Sequence, residues 1–190
     1  MINSFREYGE LREIGFRKLG RNVLISRKAS IYNPEKIEIG SNVRIDDFCI
    51  LSGKLRIGNY IHIAAYTSLC GGKKGIVLED YVNLSRKIEI FAVSDDFSGA
   101  SMTSPMIPDQ YKNLVEARVV LEKHVIVGPG TVVLPGVTIR EGSAIGALSL
   151  VNRSTEEWSI YAGIPAKKIK ERKKRIIALE KKFLREMLNA

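Results

Sequence analysis

The sequence predicts an all-β solenoid, a parallel β-helix followed by a C-terminal α-helix, and three observations carry that expectation. In Val119–Val151 a branched aliphatic residue returns every six positions after Leu121, at Val127, Val133, Ile139, Ile145 and Val151. The same phase runs upstream through Ile39, Ile45 and Leu51, then Ile57, Ile63 and Leu69, then Leu78, Leu84 and Ile90, and it resumes after an interruption at Ser94–Arg118. From Ala166 onward the periodicity changes to that of a helix. A six-residue phase is neither helical nor a plain alternation. It suits a coil of three short strands, each followed by a tight corner, whose inward aliphatics stack on those of the neighbouring coils. An antiparallel sandwich also yields short aliphatic runs, but it has no need of a fixed phase of six.

The elements follow in order. Residues 1–24 mix charge with Phe5, Leu11, Ile14, Phe16 and Leu19, and are expected to cap the open end of the first coil, with a short helical stripe weakened by Gly9. The β-helix is expected over 25–160, with Ile25 and Ile31 forming a partial first coil displaced by Asn33-Pro34 and full regularity from Ile39. Gly71–Gly75 (GGKKG) is a turn, either a basic lip beside a site or a length adjustment between coils. The loop 94–118 is long for a compact repeat, which marks it as either functional or disordered. Its Met102, Met106, Ile107 and Tyr111 are expected to pack against something. Residues 161–190 form an exit segment punctuated by Gly163 and Pro165, then an amphipathic helix with Ile169, Ile176, Leu179, Phe183 and Met187 on one side. That helix is expected to lie on the coils or on a neighbouring subunit.

Composition excludes several classes. The 190 residues carry a formal charge of +9, yet the basic C-terminal stretch lacks the interleaved aromatics of a nucleic-acid module. Cys49 and Cys70 form no C-x-x-C pair, so neither a zinc nor a redox motif is indicated, and two histidines cannot supply a three-histidine metal centre. No metal is therefore expected. The opening MINSFREYGELREIG lacks the apolar run of a signal peptide and no stretch is long enough to span a bilayer, which points to a cytoplasmic protein with no membrane insertion.

Val132–Ile139 (VVLPGVTI), Ala144–Val151 (AIGALSLV) and Tyr161–Lys167 (YAGIPAK), in that order and spacing, resemble the hexapeptide-repeat acyltransferases with a left-handed β-helix, specifically the sugar acetyltransferases related to the maltose and galactoside enzymes. The resemblance extends over about residues 37–172. It implies a homotrimer with active sites between adjacent prisms, acetyl-CoA as co-substrate, a histidine as general base, and a sugar or nucleotide-sugar hydroxyl as acceptor, as in polysaccharide or lipopolysaccharide biosynthesis. N-acetylation of a nucleotide-linked amino sugar is the alternative. A trimeric scaffold or binding protein with a decayed centre is a further reading of a different class.

The candidate residues follow from that resemblance and from the chemistry. Where the related enzymes carry the catalytic histidine, coil alignment places Asp95. A carboxylate with an ordinary pKa near 3.9 is a poor sole base, so His62, which ends the hexapeptide IGNYIH at a corner position, is the candidate base, with Asp95 or Asp96 of the next subunit orienting its ring. A solvated corner is the plainer role for His62, and a turn-holding pair for Asp95 and Asp96. His124 is expected to be an exposed corner residue. Gly128, Gly146 and Ala147 match family positions beside the pantetheine arm, with a backbone amide near Gly128 or Gly146 as oxyanion donor. Arg153, Lys167, Lys168, Lys170 and Arg172 are candidates for the CoA phosphates. Ile126 stands where related enzymes often have tryptophan, which suggests a different acceptor.

Overall fold

The computed structural model describes residues 4–188, and it is a left-handed parallel β-helix with a C-terminal helix. Left-handed crossovers between parallel strands are rare elsewhere, since βαβ units take the other hand. Here, apart from the long loop, the connections within the prism up to Val151 are two- to five-residue corners rather than α-helices, and many of their residues sit at positive φ.

Three parallel faces form the prism. Face one stacks Lys18–Leu19, Ile37–Ile39, Leu55–Ile57, Ile76–Leu78, Val119–Leu121 and Thr138–Ile139. Face two begins at Val23–Ile25 and includes Val43–Ile45, Ile61–Ile63, Asn83–Leu84, Ile126–Val127 and Ala144–Ile145. Face three runs from Ser30–Tyr32 through Ile50–Ser52, Ser68–Cys70, Glu89–Phe91 and Val132–Val133 to Leu150–Val151.

The strand register reproduces the aliphatic phase read from the sequence. Ile39 pairs with Ile57, Ile57 with Leu78, Leu78 with Leu121 and Leu121 with Ile139. Ile45, Ile63, Leu84, Val127 and Ile145 form the second stack, and Leu51, Leu69, Ile90, Val133 and Val151 the third. All of these are at most 3% exposed. Each stack is a one-dimensional core whose members are buried by the coils above and below.

The start of the β-helix needs correction. Leu19 pairs with Ile39, so the first coil opens at Lys18 rather than at residue 25, and Leu19, Ile25 and Ile31 form a coil in the ordinary six-residue phase. The short 3-10 turn Pro34–Lys36 lengthens only the corner that follows. Helix α1 (Tyr8–Glu13) covers this end with Leu11 fully buried, and it is held by a capping box between Glu7 and Glu10 and by Arg27 gripping both oxygens of Glu10.

At the other end Ser159–Ala162 extends face two and turns back, antiparallel, as Lys167–Glu171. The AGIPAK stretch is thus the turn of a hairpin that closes the prism. Helix α2 (Arg175–Leu188) follows and runs back along the corner between faces one and two. The chain leaves the prism at Ala92 for the long loop and returns at Ala117, whose N–H donates to the Ala92 carbonyl. Val93–Ser94 pairs antiparallel with Val115–Glu116 at the loop's root. Phe97 and Met106 protrude from the loop almost fully exposed, so they do not pack within this chain.

Candidate active site

His62 lies not at a corner but in the strand Ile61–Ile63 of face two, between the inward Ile61 and Ile63, so its ring turns outward. Its Nε2 donates to Asp46 Oδ2 at 2.8 Å, and Arg44 donates to the other carboxylate oxygen at 2.7 Å. Burial would raise the Asp46 carboxyl, but the hydrogen bonds from Arg44 and His62 outweigh it and hold the group below the usual carboxylate range. The orienting carboxylate of His62 is therefore in the same subunit. Around it Phe5, Arg86, Ala64 and Ala65 wall a shallow open depression.

Asp95 and Asp96 stand elsewhere, at the corner between faces three and one where the long loop leaves. Asp96 accepts from Ser98 N–H and Ser101 Oγ, which hold its carboxyl low and make it a turn-forming residue. Asp95 faces a cavity of about 300 Å³ lined by Phe91, Val93, Phe97 and Leu134, among others. The Asp95 carboxylate thus lies against apolar walls, beside the almost fully exposed Phe97.

The corner between faces two and three carries a column of small residues. Ser85, Gly128 and Gly146 each follow an inward aliphatic (Leu84, Val127 and Ile145) in successive coils, with Ala64 one coil earlier. A Cβ at Gly128 would stand 2.6 Å from the Ala147 nitrogen, and one at Gly146 2.8 Å from the Ala162 Cβ, so both glycines are demanded by coil stacking itself. Their amides are occupied: Gly128 N–H donates to the Ile145 carbonyl and Gly146 N–H to that of Tyr161. Neither of these two is available as an oxyanion donor. Ala147 is exposed at the same corner.

The basic candidates separate into two kinds. Arg153, Lys167 and Lys170 are exposed and, among the described residues, have no ion pair. Lys168 is held by Glu156 and Glu171, which raise its pKa. Arg172 donates through Nη1 to the carbonyls of His124, Gly142 and Ser143, and burial lowers its pKa. That guanidinium ties the exit hairpin to the last coils.

His124 is the reverse of the exposed corner expected. It is 3% exposed, stacked on Tyr81 at 5.0 Å in a column with Tyr60, and its Nε2 donates to Glu180 of α2 at 2.8 Å. The terminal helix conceals it, which the local sequence could not show. Among the described residues no group of acidic, histidine and cysteine side chains could hold a metal, and no helix is long and apolar enough to cross a membrane.

No protein-family model matches the chain. It is 46% identical over 177 residues to the dTDP-4-amino-4,6-dideoxy-D-glucose acyltransferase of Escherichia coli, covering 92% of each. The chain belongs to the hexapeptide-repeat sugar acyltransferases. It is also 30% identical to WbbJ of Escherichia coli K12, a putative lipopolysaccharide biosynthesis O-acetyl transferase, over 83% of this chain and 88% of that one. Among solved structures, AntD of Bacillus cereus, an N-acyltransferase crystallised with dTDP and 3-hydroxybutyryl-CoA, superposes with a TM-score of 0.96 at 53% identity over the whole of both chains. The hydroxyl acceptor expected from the sequence therefore gives way to an amino sugar as the better-supported reading. The acyltransferase class stands.

Proposed function

We propose that this enzyme transfers an acyl group from acyl-CoA to the 4-amino group of a nucleotide-linked 4-amino-4,6-dideoxy sugar. One observation carries the reading beyond the family. AntD has been crystallised, with CoA and dTDP or the dTDP-amino sugar, as variants at a serine and at an aspartate ten positions further along. Ser85 and Asp95 are the only serine and aspartate so spaced in this sequence.

The chemistry supports the assignment. A sugar amine resembles an α-amino group, whose conjugate acid has a pKa of about 8, so a useful fraction is neutral at pH 7. Its nitrogen attacks the thioester carbonyl unaided, and a base is needed only to accept the acidic N–H proton of the adduct. A carboxylate suffices for that, whereas a hydroxyl must be deprotonated as it attacks. In the step the C–N bond forms and the C–S bond breaks. The proton leaves nitrogen for Asp95 and passes to the departing CoA thiolate. The aspartate that is a poor base for O-acylation is an adequate one for N-acylation.

Ser85 and Asp95 occupy different corners of the prism, separated by face three, whose run of about six residues spans roughly 20 Å. They meet only if Asp95 of one subunit faces the Ser85 column of the next, which supports a trimer with composite sites. In that arrangement the Gly128 and Gly146 column borders the pantetheine arm, and Arg153, Lys167 and Lys170 are available to the CoA phosphates. Asp96 shapes the loop that presents Asp95. The His62–Asp46 pair supports a second reading, in which imidazole is the base for a hydroxyl acceptor.

The test is acyl transfer from acetyl-CoA and 3-hydroxybutyryl-CoA to dTDP-4-amino-4,6-dideoxyglucose and to hydroxylated nucleotide sugars, with the product bond identified by mass and NMR. An amide product, with Asp95→Asn lowering turnover 10²- to 10⁴-fold as for loss of a proton acceptor and His62→Ala changing it little, is the expected result. An ester product, or collapse in His62→Ala alone, would overturn it.

A further inference from the structure

Face one carries a concentration of positive charge that no single stretch of sequence displays. Lys36, Lys54 and Arg118 hold the same register position, immediately before the first strand of three coils, and Lys74 stands beside that position in a fourth, next to Gly75. With Arg56 and Arg17 they border an open groove of about 300 Å³. The groove contains one carboxylate, Glu38, already paired with Arg17 at 3.2 Å. Lys36, Lys54, Arg56, Lys74 and Arg118 are exposed and, among the described residues, make no ion pair.

This arrangement is costly for the chain alone. Neighbouring strands of a sheet lie about 4.8 Å apart, and like charges directly opposite each other destabilise the pairing. Several corner cations elsewhere are neutralised: Arg27 meets Glu10, Lys28 meets Asp47, Lys123 meets Glu180 and Arg140 meets Glu122. In the groove, by contrast, the unpaired cations stand in one column with a single carboxylate among them. The imbalance is relieved when an anion lies along it, and arginine and lysine in mixture suit phosphate oxygens, the one by paired N–H donors and the other by point charge.

We propose that this groove on face one is a diphosphate-binding site. A nucleotide-linked sugar and CoA both contain a diphosphate, so the identity of the physiological ligand rests on the acyl-transfer reading, while the anion chemistry does not. The groove is separate from the C-terminal cations Arg153, Lys167 and Lys170, which lie beyond the last complete coil.

The experiment compares the full-length protein with Lys54→Gln/Arg56→Gln, and with Lys36→Gln as a second variant, in calorimetric titrations with inorganic pyrophosphate, dTDP and CoA at fixed ionic strength, together with thermal unfolding of the unliganded proteins. The expected result is pyrophosphate binding at least tenfold weaker in the double variant with an unfolding temperature equal to or above the parent's, because repulsion has been removed. The same loss for dTDP but not CoA assigns the site to the acceptor, and the converse to the acyl donor. The proposal is overturned if pyrophosphate fails to bind the parent, if it binds the variants as tightly, or if the variants unfold at a lower temperature. Loss of pyrophosphate binding in a protein that transfers no acyl group would uphold the groove and discard only the enzymatic reading.

Discussion

Glu180→Gln tests what fastens α2 to the coils. The Glu180 side chain is 11% exposed and bridges Lys123 Nζ at 2.5 Å and His124 Nε2 at 2.8 Å. Among the described residues the His124 Nδ1 is buried without a partner, so the bond to Glu180 is the one hydrogen bond its ring makes there. Hydrogen bonds to charged groups contribute about 1.5–3 kcal/mol each, and a buried group left unpaired costs a further 1–3 kcal/mol. Glutamine keeps one acceptor oxygen but loses the charge, so about 2–3 kcal/mol is the expected loss. Native-state hydrogen exchange of the α2 amides reads the local opening directly. At 1.36 kcal/mol per tenfold, exchange is expected to quicken by roughly 30- to 150-fold. In the parent, burial would raise the Glu180 carboxyl, but Lys123 and His124 outweigh it and hold its pKa below the usual value. Its contribution is thus complete above the unfolded pKa of about 4.3 and is lost as pH falls through the lower folded value. Accelerated exchange in α2 should appear only below about pH 4 in the parent. Unchanged α2 exchange in Glu180→Gln at pH 7 would refute the claim that this carboxylate holds the helix, leaving the Phe183–Tyr60 edge contact as the fastening.

Three further outcomes are expected. Gly142→Ala places a Cβ 2.4 Å from the Trp158 ring at a residue with φ +66°, so backbone strain and overpacking should cost about 2–4 kcal/mol, read as a lower unfolding temperature and altered tryptophan fluorescence. Ile63→Ala empties a fully buried place in the middle of the second stack and should cost about 2–5 kcal/mol, measured by chemical denaturation with an unchanged m-value. Arg172→Gln removes donations to three backbone carbonyls and should lower the unfolding temperature while the KM for acyl-CoA stays within about threefold. A large rise in KM without loss of stability would instead make Arg172 a phosphate ligand.

The coil was legible in the sequence because its core is one-dimensional. Every inward position of a β-helix is met by the equivalent position one coil away, so Ile45, Ile63, Leu84, Val127 and Ile145 announce their contacts by phase alone. Leu19 was legible by the same arithmetic, six residues before Ile25, but lay among the charged residues of the opening segment. His124 was not, because its burial depends on a helix contributed some fifty residues later. The same limit applies to His62, whose partner Asp46 follows Ile45 in the preceding coil and becomes a neighbour only once the coils are stacked.

Once the phase is known, it reveals more than the core. Residues that follow the inward aliphatics of face two form the column Ala64, Ser85, Gly128 and Gly146, and those that precede the strands of face one form the column Lys36, Lys54 and Arg118. In the linear sequence Lys36 and Lys54 are eighteen residues apart, a full coil, while the GGKKG turn and the long loop push Lys74 and Arg118 out of that spacing. The insertions hide the charge column without breaking it, because a solenoid absorbs extra residues at its corners and restores the register in the next strand. A stacked fold therefore assembles a ligand surface from residues that have no linear motif, and those surfaces are to be sought by coil position rather than by local sequence. Asp95 shows the complementary case: it sits on an inserted loop, outside the repeat, where coil position does not predict its neighbours, and the residues it meets, Phe91, Val93, Phe97 and Leu134, are found only in the folded chain.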